Sequence, residues 1–204
     1  MTRAGRIGVL ALQGGVVEHA RMLRRLGAEP VEVRRPEQLE GLEGIILPGG
    51  ESTTIGKLLM EYDLLEPLRE RLQQGLPAYG TCAGMILLAN DLGGSRQPGL
   101  GVMDMRVLRN AFGAQRDSFE QDLAVDGIEG GPFHAIFIRA PLIEHLGPGV
   151  TPLATLPDGT PVAARQGQLL ASAFHPELSD DPRLHQLFLD LCAEHPLLGQ
   201  QMTA

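Results

Sequence analysis

The chain has 204 residues, of which 43% are hydrophobic and 21% charged, a composition typical of a globular protein that can bury a sizeable core. Its formal net charge of −8 argues against a nucleic acid as the main partner, because such partners require a basic surface. Glycine, with 26 residues, and proline, with 15, are more frequent than usual, which indicates many tight turns.

No segment of the sequence predicts export or insertion into a membrane. The first apolar run, residues 7–12, is too short for the hydrophobic part of a signal peptide, and no run approaches the roughly 20 residues of a membrane span. The two cysteines, Cys82 and Cys192, could form one disulfide, but nothing else indicates an oxidising compartment. We therefore expect a cytoplasmic protein with free thiols and no membrane partner.

The first 90 residues predict strands and helices in alternation. The continuous apolar runs predict strands over residues 7–12, 30–34, 44–47 and 76–79, and the amphipathic or apolar segments between them predict helices over residues 16–26, 51–62, 65–74 and 85–89, with a short helix or turn over 37–42. Alternation of this kind favours a parallel sheet covered on both faces, with functional sites at the carboxyl ends of the strands.

The second half of the chain predicts a largely antiparallel part. Short strand patterns occur over residues 102–108, 123–125, 134–139, 152–156, 162–166 and 169–173, with turn signals at 158–159 and 166–168. An amphipathic helix over 181–195 follows, and its period places Cys192 in the core. We expect a single α/β domain over residues 1–204, with its core in about 6–195, a mostly parallel central sheet flanked by helices, and an antiparallel part in the C-terminal half.

A cysteine between two glycines follows the fourth predicted strand, in the order Gly80-Thr81-Cys82-Ala83-Gly84. This spacing between a strand and a helix is typical of a nucleophile elbow, in which a sharp turn presents the nucleophile and its near neighbours must lack side chains. The N-terminus of the following helix favours the thiolate over the thiol. The alternative is a structural cysteine buried in a glycine-flanked turn.

His175 is the best candidate for the base that such a nucleophile needs. It follows the predicted strand at 169–173 and precedes Pro176 and Glu177. Because residues i and i+2 of an extended segment point to the same side, Glu177 can hold the imidazole in one tautomer and stabilise its charged form. The remaining histidines are expected to be solvated or internally hydrogen-bonded: His19, His134, His145, His185 and His195.

The loop Pro48-Gly49-Gly50 follows the third predicted strand and opens a helix. Glycines allow backbone N–H groups to approach a ligand closely, so Gly49 and Gly50, together with the N–H of Ala83, are candidates for an oxyanion hole. The alternative is a simple turn from strand to helix. The sequence has neither a Cys-x-x-Cys nor a His-x-x-x-His pattern, so we expect no metal site.

These three elements together resemble the class I, or triad-type, glutamine amidotransferase family. Within it, the chain most resembles the glutaminase subunits of pyridoxal 5'-phosphate synthases. That resemblance runs from about residue 6 to 192, and it rests on the segments LALQG at 10–14, RPEQL at 35–39, PGGESTT at 48–54, RNAFG at 109–113, FIRAP at 137–141 and FHPEL at 174–178. Many separate motifs in the same order make the resemblance specific.

The resemblance implies a flavodoxin-like α/β fold, no cofactor, and hydrolysis of L-glutamine to L-glutamate and ammonia. Cys82 would attack the amide to form a glutamyl thioester, His175 would transfer the protons, and Glu177 would orient His175. The residues implied to bind L-glutamine are Gly50, Glu51, Ser52, Arg109, Ile138 and Arg139, and those implied to form the oxyanion hole are Gly49, Gly50 and Ala83. An arginine is a suitable partner for the α-carboxylate of an amino acid.

The resemblance also implies a protein partner, the synthase subunit that receives the ammonia through a tunnel and makes pyridoxal 5'-phosphate, in an assembly of 12 glutaminase and 12 synthase subunits. Activity would then depend on that partner. Ala114 stands where similar sequences usually carry a basic residue, which concerns a contact such as one at the subunit interface rather than the chemistry.

Two other functions remain open at this point. The chain could be the glutaminase subunit of another amidotransferase complex that uses the same triad. It could also be a non-catalytic or redox-sensing protein with an elbow cysteine, which would not need the His175 and Glu177 pair.

Overall fold

The computed structural model describes residues 5–109 and 118–194. Its strands are β1 (Arg6–Leu10), β2 (Glu29–Val33), β3 (Gly44–Leu47), β4 (Ala78–Thr81), β5 (Ala89–Asp91), β6 (Met103–Leu108), β7 (Ser118–Leu123), β8 (Phe133–Ile138), β9 (Leu142–Leu146), β10 (Thr151–Thr155), β11 (Pro161–Gln166) and β12 (Leu169–Ser172). Its α-helices are α1 (Val16–Arg25), α2 (Ser52–Glu61), α3 (Leu65–Gln73), α4 (Ala83–Leu88) and α5 (Arg183–Glu194), and short 3-10 helices cover Pro36–Leu39 and Pro176–Leu178.

A seven-stranded sheet in the order β10-β11-β12-β4-β3-β1-β2 forms the centre of the molecule. The five strands from β12 to β2 are parallel, and β10 and β11 add an antiparallel edge through two hairpins. The carboxyl ends of β1, β3, β4 and β12 therefore lie side by side at one edge of the sheet. The predicted α/β fold with a mostly parallel central sheet is confirmed.

Alternate residues of each central strand face opposite helical layers, which is why the strand sequences are apolar throughout. One face packs against α1 and α5 through Ile7, Val9, Leu23, Ile46, Tyr79, Leu170, Phe188, Leu191 and Cys192. The other face packs against α2, α3 and α4 through residues that include Leu10, Ile45, Leu47, Ile55, Leu59, Leu68, Met85 and Ala171. Cys192 thus lies in the core, as its position on the helix predicts.

Two small sheets in the second half of the chain depart from the predicted strands. Strands β5, β6 and β9 form one sheet, and β7 pairs with β8 in a hairpin. The predicted strand at 123–125 is wrong, since β7 ends at Leu123. The sequence of β7 is mostly polar and therefore does not predict a strand. Pairing with β8 stabilises β7, and the rings of Phe119 and Phe137 stack 4.3 Å apart across that pair. Strands β5 and β9 were not predicted at all, because each is short and carries charged residues.

Some predictions lie outside the described residues. They concern most of the segment at 109–113, the substitution at Ala114, and His195 at the end of the predicted last helix. Within the described part of the chain, no helix is both long enough and apolar enough to cross a membrane.

Candidate active site

Cys82 occupies the sharp turn between β4 and α4. Its backbone has φ 48° and ψ −102°, a conformation that side chains rarely adopt, and the residue is buried. A Cβ at Gly80 would lie 2.6 Å from the carbonyl carbon of Gly84, and one at Gly84 would overlap the carbonyl oxygen of Leu47. Gly80 is therefore required for α4 to approach β4, and Gly84 is required for α4 to pack against β3.

His175 and Glu177 meet just beyond the carboxyl end of β12. Nδ1 of His175 lies 2.8 Å from Oε1 of Glu177, and the His175 N–H donates to the carbonyl of Ile136 in β8 at 2.9 Å. The sequence predicts that this contact forms in extended backbone, and that prediction is wrong. Pro176 begins a 3-10 helix that contains Glu177. That turn brings the carboxylate back under the ring, where only 1% of Glu177 is exposed.

The environment keeps His175 protonated. Burial alone lowers its pKa, but hydrogen bonds to Cys82 and Glu177 and the negative charge of both outweigh burial and raise the pKa to about 10. Burial raises the pKa of Glu177, but the neighbouring histidines and the hydrogen bond from His175 lower it further, so the carboxyl is ionised. The pair is thus an imidazolium held by a carboxylate.

Both backbone polar groups of Gly49 are hydrogen-bonded. The Gly49 N–H donates to Oγ1 of Thr81 at 3.1 Å, and the Gly49 carbonyl accepts from the Gly15 N–H at 3.2 Å. Because the described peptide bonds are trans, the Gly50 N–H points away from Gly15. Of the predicted oxyanion donors, Gly50 and Ala83 line the cavity beside the nucleophile, whereas the N–H of Gly49 is already bonded to Thr81.

A cavity of about 900 Å³ opens over Cys82 and His175. It brings together residues from the ends of several strands and the starts of two helices: Gln13, Gly50, Glu51, Ser52, Cys82, Ala83, Ile86, Arg109, Ser118, Ile138, Arg139, Pro141 and His175. All predicted glutamine-binding residues therefore line one cavity, while Gly49 and Glu177 lie behind its wall. Its volume exceeds what an amino acid needs.

Arg109 is one of two arginines that line the cavity and could bind a carboxylate, and its side chain already has partners. Its guanidinium lies 3.1 Å from Oε1 of Glu51 and donates to Oγ1 of Thr53 at 2.7 Å and to Oε1 of Gln97 at 2.8 Å. Glu51 in turn caps α2 by accepting the N–H groups of Thr53 and Thr54. Hydrogen bonds from Thr54 above all lower the pKa of Glu51 to about 2, so its carboxylate is ionised.

Two backbone positions complete the far wall of the cavity. The carbonyl oxygen of Ile138 lies 4.0 Å from Sγ of Cys82, and its side chain is partly exposed. Arg139 has φ 45°, which directs the chain away from β8 at this point. Both residues therefore line the cavity from the end of the β7–β8 hairpin rather than from the central sheet.

Sequence reasoning missed several residues that build the site. Oε1 of Gln13 accepts the N–H of Glu51 at 2.7 Å and so connects the β1–α1 loop to the start of α2. Gln97 holds Arg109, and His19 and His185 are fully buried behind the triad rather than solvated. Local patterns carry no signal for these contacts, which join positions as far apart as 19 and 185. Among the described residues no group of side chains could hold a metal ion.

The model of the SNO glutamine amidotransferase family matches residues 9–194. The pyridoxal 5'-phosphate synthase subunit PdxT of Frankia alni is 61% identical over 188 residues, covering 91% of this chain and 94% of the relative. The subunit of the same name from Herpetosiphon aurantiacus is 58% identical over 188 residues, covering 91% of this chain and 99% of the relative.

Solved structures agree with the family match. One described as a crystal structure of glutamine amidotransferase superposes with a TM-score of 0.87 at 55% identity, and the alignment covers 92% of this chain and 98% of the other. A putative GMP synthase subunit from Thermoplasma acidophilum superposes with a TM-score of 0.68 at 20% identity, covering 96% of this chain and 97% of the other, which shows that the fold is shared.

Proposed function

The chain belongs to the SNO glutamine amidotransferase family, and from that premise we propose how it hydrolyses L-glutamine to L-glutamate and ammonia for pyridoxal 5'-phosphate synthesis. The observation that carries the proposal is the meeting of an elbow cysteine and a histidine in one cavity, with Glu177 hydrogen-bonded to that histidine behind the cavity wall. The catalytic residues in this proposal are Cys82, His175 and Glu177, within a single domain over residues 1–204 whose core spans about 6–195.

The reaction begins when the Cys82 thiolate attacks the side-chain amide carbon of glutamine. The N–H groups of Gly50 and Ala83 stabilise the negative oxygen of the tetrahedral intermediate. The His175 imidazolium gives its proton to the leaving nitrogen, which departs as ammonia and leaves a glutamyl thioester. His175, now neutral, takes a proton from water, the hydroxide attacks the thioester, and glutamate is released with the thiolate restored.

Glutamine is held, in this proposal, by the residues around the cavity mouth. Arg109 binds the α-carboxylate, which requires its guanidinium to exchange part of its contact with Glu51 for the substrate. The Glu51 carboxylate then faces the α-ammonium group, and its low pKa keeps it anionic over the whole working range. Backbone and side-chain groups of Ser52, Ile138 and Arg139 complete the enclosure.

The partner in this proposal is a pyridoxal 5'-phosphate synthase subunit, joined in a cytoplasmic 12 + 12 assembly through which ammonia passes. Support comes from exposed apolar side chains on segments that build the site: Val17 is 72% exposed, Ile138 40% and Leu178 46%. Val17 follows the loop that holds the Gly49 carbonyl, and Leu178 follows Glu177 directly. Exposed apolar side chains around a site favour coverage by another protein.

Ammonia release from glutamine, measured with and without an added pyridoxal 5'-phosphate synthase subunit, tests both parts of the proposal. We expect low activity that rises sharply on mixing and that Cys82→Ala abolishes without unfolding the protein. Equal activity in both samples would retain the triad and refute the partner. Undiminished activity of Cys82→Ala, or a folded wild-type chain without activity in either sample, would refute the chemistry.

A further inference from the structure

Two histidines that the proposed reaction does not use are buried side by side behind the triad. His19 comes from α1 and His185 from α5, and both are 0% exposed. Nδ1 of His19 lies 2.9 Å from Nε2 of His185, and the ring centroids are 5.1 Å apart. Buried polar groups normally have partners that justify their burial, so the other nitrogen of each ring needs an explanation.

The second nitrogen of His19 faces two groups of the active site. Nε2 lies 3.2 Å from Oγ1 of Thr81 and 3.4 Å from Oε2 of Glu177. Oε2 is a buried oxygen of an ionised carboxylate, and no hydrogen bond to it is formed among the described residues; the 3.4 Å approach of His19 is a close contact rather than a hydrogen bond. Leaving such an oxygen without a donor would be costly, which makes the nearby ring nitrogen important.

The contacts assign the proton of His19 to Nε2. Burial lowers the pKa of His19, so the ring is neutral and carries one N–H. A proton on Nε2 faces the carboxylate of Glu177, whereas a lone pair there would be repelled by it. Nδ1 of His19 then accepts the Nε2–H of His185, and Nδ1 of His185, which has no partner among the described residues, carries a lone pair rather than a stranded N–H.

We propose that His19 is a positioning residue that joins Glu177 of the triad to Thr81 beside the nucleophile. The inference rests on the proposed glutaminase function. Through Glu177, His19 fixes the carboxylate that orients the imidazolium of the base. Through Thr81, it fixes the hydroxyl that accepts the Gly49 N–H, and so the position of Gly49, whose carbonyl shares a peptide with the Gly50 N–H.

The groups that face His19 come from every element packed against it. They are Thr81 from β4, His185 from α5, His175 and Glu177 from the segment after β12, and Glu18 from α1 itself, while Tyr79 of β4 contacts His185 of the pair. Glu177 is the only buried carboxylate among them. Removing the donor on His19 therefore acts first on Glu177.

Two amides of different length separate the two ring nitrogens. His19→Gln places an N–H close to the position of Nε2, whereas His19→Asn places one only near Nδ1. Glutaminase activity is measured for both in the complex with the synthase subunit, from pH 6 to 10. We expect His19→Asn to lower kcat by about 10- to 100-fold, as losses of such supporting hydrogen bonds do elsewhere, and His19→Gln to stay within about threefold of wild type.

The pH profile and KM distinguish positioning from general destabilisation. Without the donor, Glu177 is held less firmly against His175, and its hydrogen bond to the imidazolium weakens. The pKa of His175 then falls, so the alkaline limb of the profile moves to lower pH in His19→Asn. KM stays within about twofold because His19 does not touch the substrate. Leu23→Ala, a cavity on the same helix without polar contacts, is the control, and we expect it to lower Tm while leaving kcat and the alkaline limb unchanged.

Equal kcat and pH profiles in His19→Asn and wild type would overturn the inference. So would a folded His19→Gln enzyme whose kcat falls by about 10-fold or more from the wild-type value, and this comparison holds even if His19→Asn does not fold. The rate at which iodoacetamide alkylates Cys82, resolved from Cys192 by peptide mass spectrometry, gives a readout without substrate. If wild type releases no ammonia, the glutaminase proposal fails, but the alkylation rate still tests the role of His19. A slower rate in His19→Asn than in wild type supports that role, and an unchanged rate overturns it.

Discussion

Gly49→Ala tests the position of the base by adding a single methyl group behind it. A Cβ at Gly49 would lie 2.9 Å from Nδ1 of His175 and closer still to Cε1, while the next contact, to Cβ of Cys82, is an ordinary 3.4 Å. The backbone of Gly49 does not have a positive φ that would penalise alanine. The imidazole must therefore retreat by more than about 0.5 Å, and because a shift near 1 Å costs on the order of 100-fold, we expect kcat to fall by about 30- to 300-fold.

The assay is ammonia release by the complex at saturating glutamine, with Tm measured on the same samples. Since the ring of His175 borders the cavity and has room to move, Tm should fall by only a few degrees, about 1 kcal/mol in the free energy of unfolding. Gly99→Ala is the matched control, because its Cβ would meet only backbone atoms of Leu87, the nearest at 3.4 Å. Wild-type kcat in Gly49→Ala would refute the placement of His175 against this loop, and a loss as large in Gly99→Ala would show that the effect is not local.

Three further substitutions follow from the same contacts. Glu177→Gln removes the charge that helps to hold the pKa of His175 at about 10. We expect kcat to fall by about 10²- to 10³-fold, less than in a variant without the nucleophile, and the alkaline limb of the pH profile to move to lower pH. An unchanged alkaline limb would contradict this. Arg109→Gln should raise KM for glutamine by about 10- to 100-fold with a smaller change in kcat, whereas Arg106→Gln, which breaks only exposed ion pairs, should leave KM unchanged; equal effects of the two would refute carboxylate binding. Gly84→Ala should lower the free energy of unfolding by at least about 2 kcal/mol in urea titrations, because its Cβ would overlap the backbone of Leu47, and a wild-type midpoint would contradict the elbow geometry.

The sequence predicts those parts of the site that are formed by residues close together in the chain. Cys82 lies between two glycines because α4 packs closely against β3 and β4, and this requirement leaves a local pattern. The pair of His175 and Glu177 is two positions apart, so the contact is recognisable even though the turn that forms it is a 3-10 helix rather than a strand. The parallel sheet follows in the same way from the apolar strands, because both faces of the sheet are buried.

The remaining parts depend on pairings between distant segments, which no local pattern contains. The contact of His19 with Thr81 exists because β4 is placed beside α1, and Oγ1 of Thr81 points to the same face of the sheet as Tyr79. Strand β7 is hidden for the same reason, since a polar sequence becomes a strand only when β8 offers it a partner. Such contacts are set by the order of the strands in the sheet. The sequence predicts a mostly parallel sheet but not that order.

The Gly49–Gly50 peptide shows how these distant pairings act on the chemistry. The Gly49 N–H, which belongs to the preceding peptide, is bonded to β4 through Thr81, and the carbonyl of the Gly49–Gly50 peptide is bonded to the β1–α1 loop through Gly15. Two neighbours of β3 in the sheet therefore decide which way the Gly50 N–H points. The glycine pair is visible in the sequence, but glycine by itself permits either orientation of the peptide. The donor to the oxyanion is therefore defined by the packing around the loop, and variants of these supporting contacts should change kcat more than they change substrate binding.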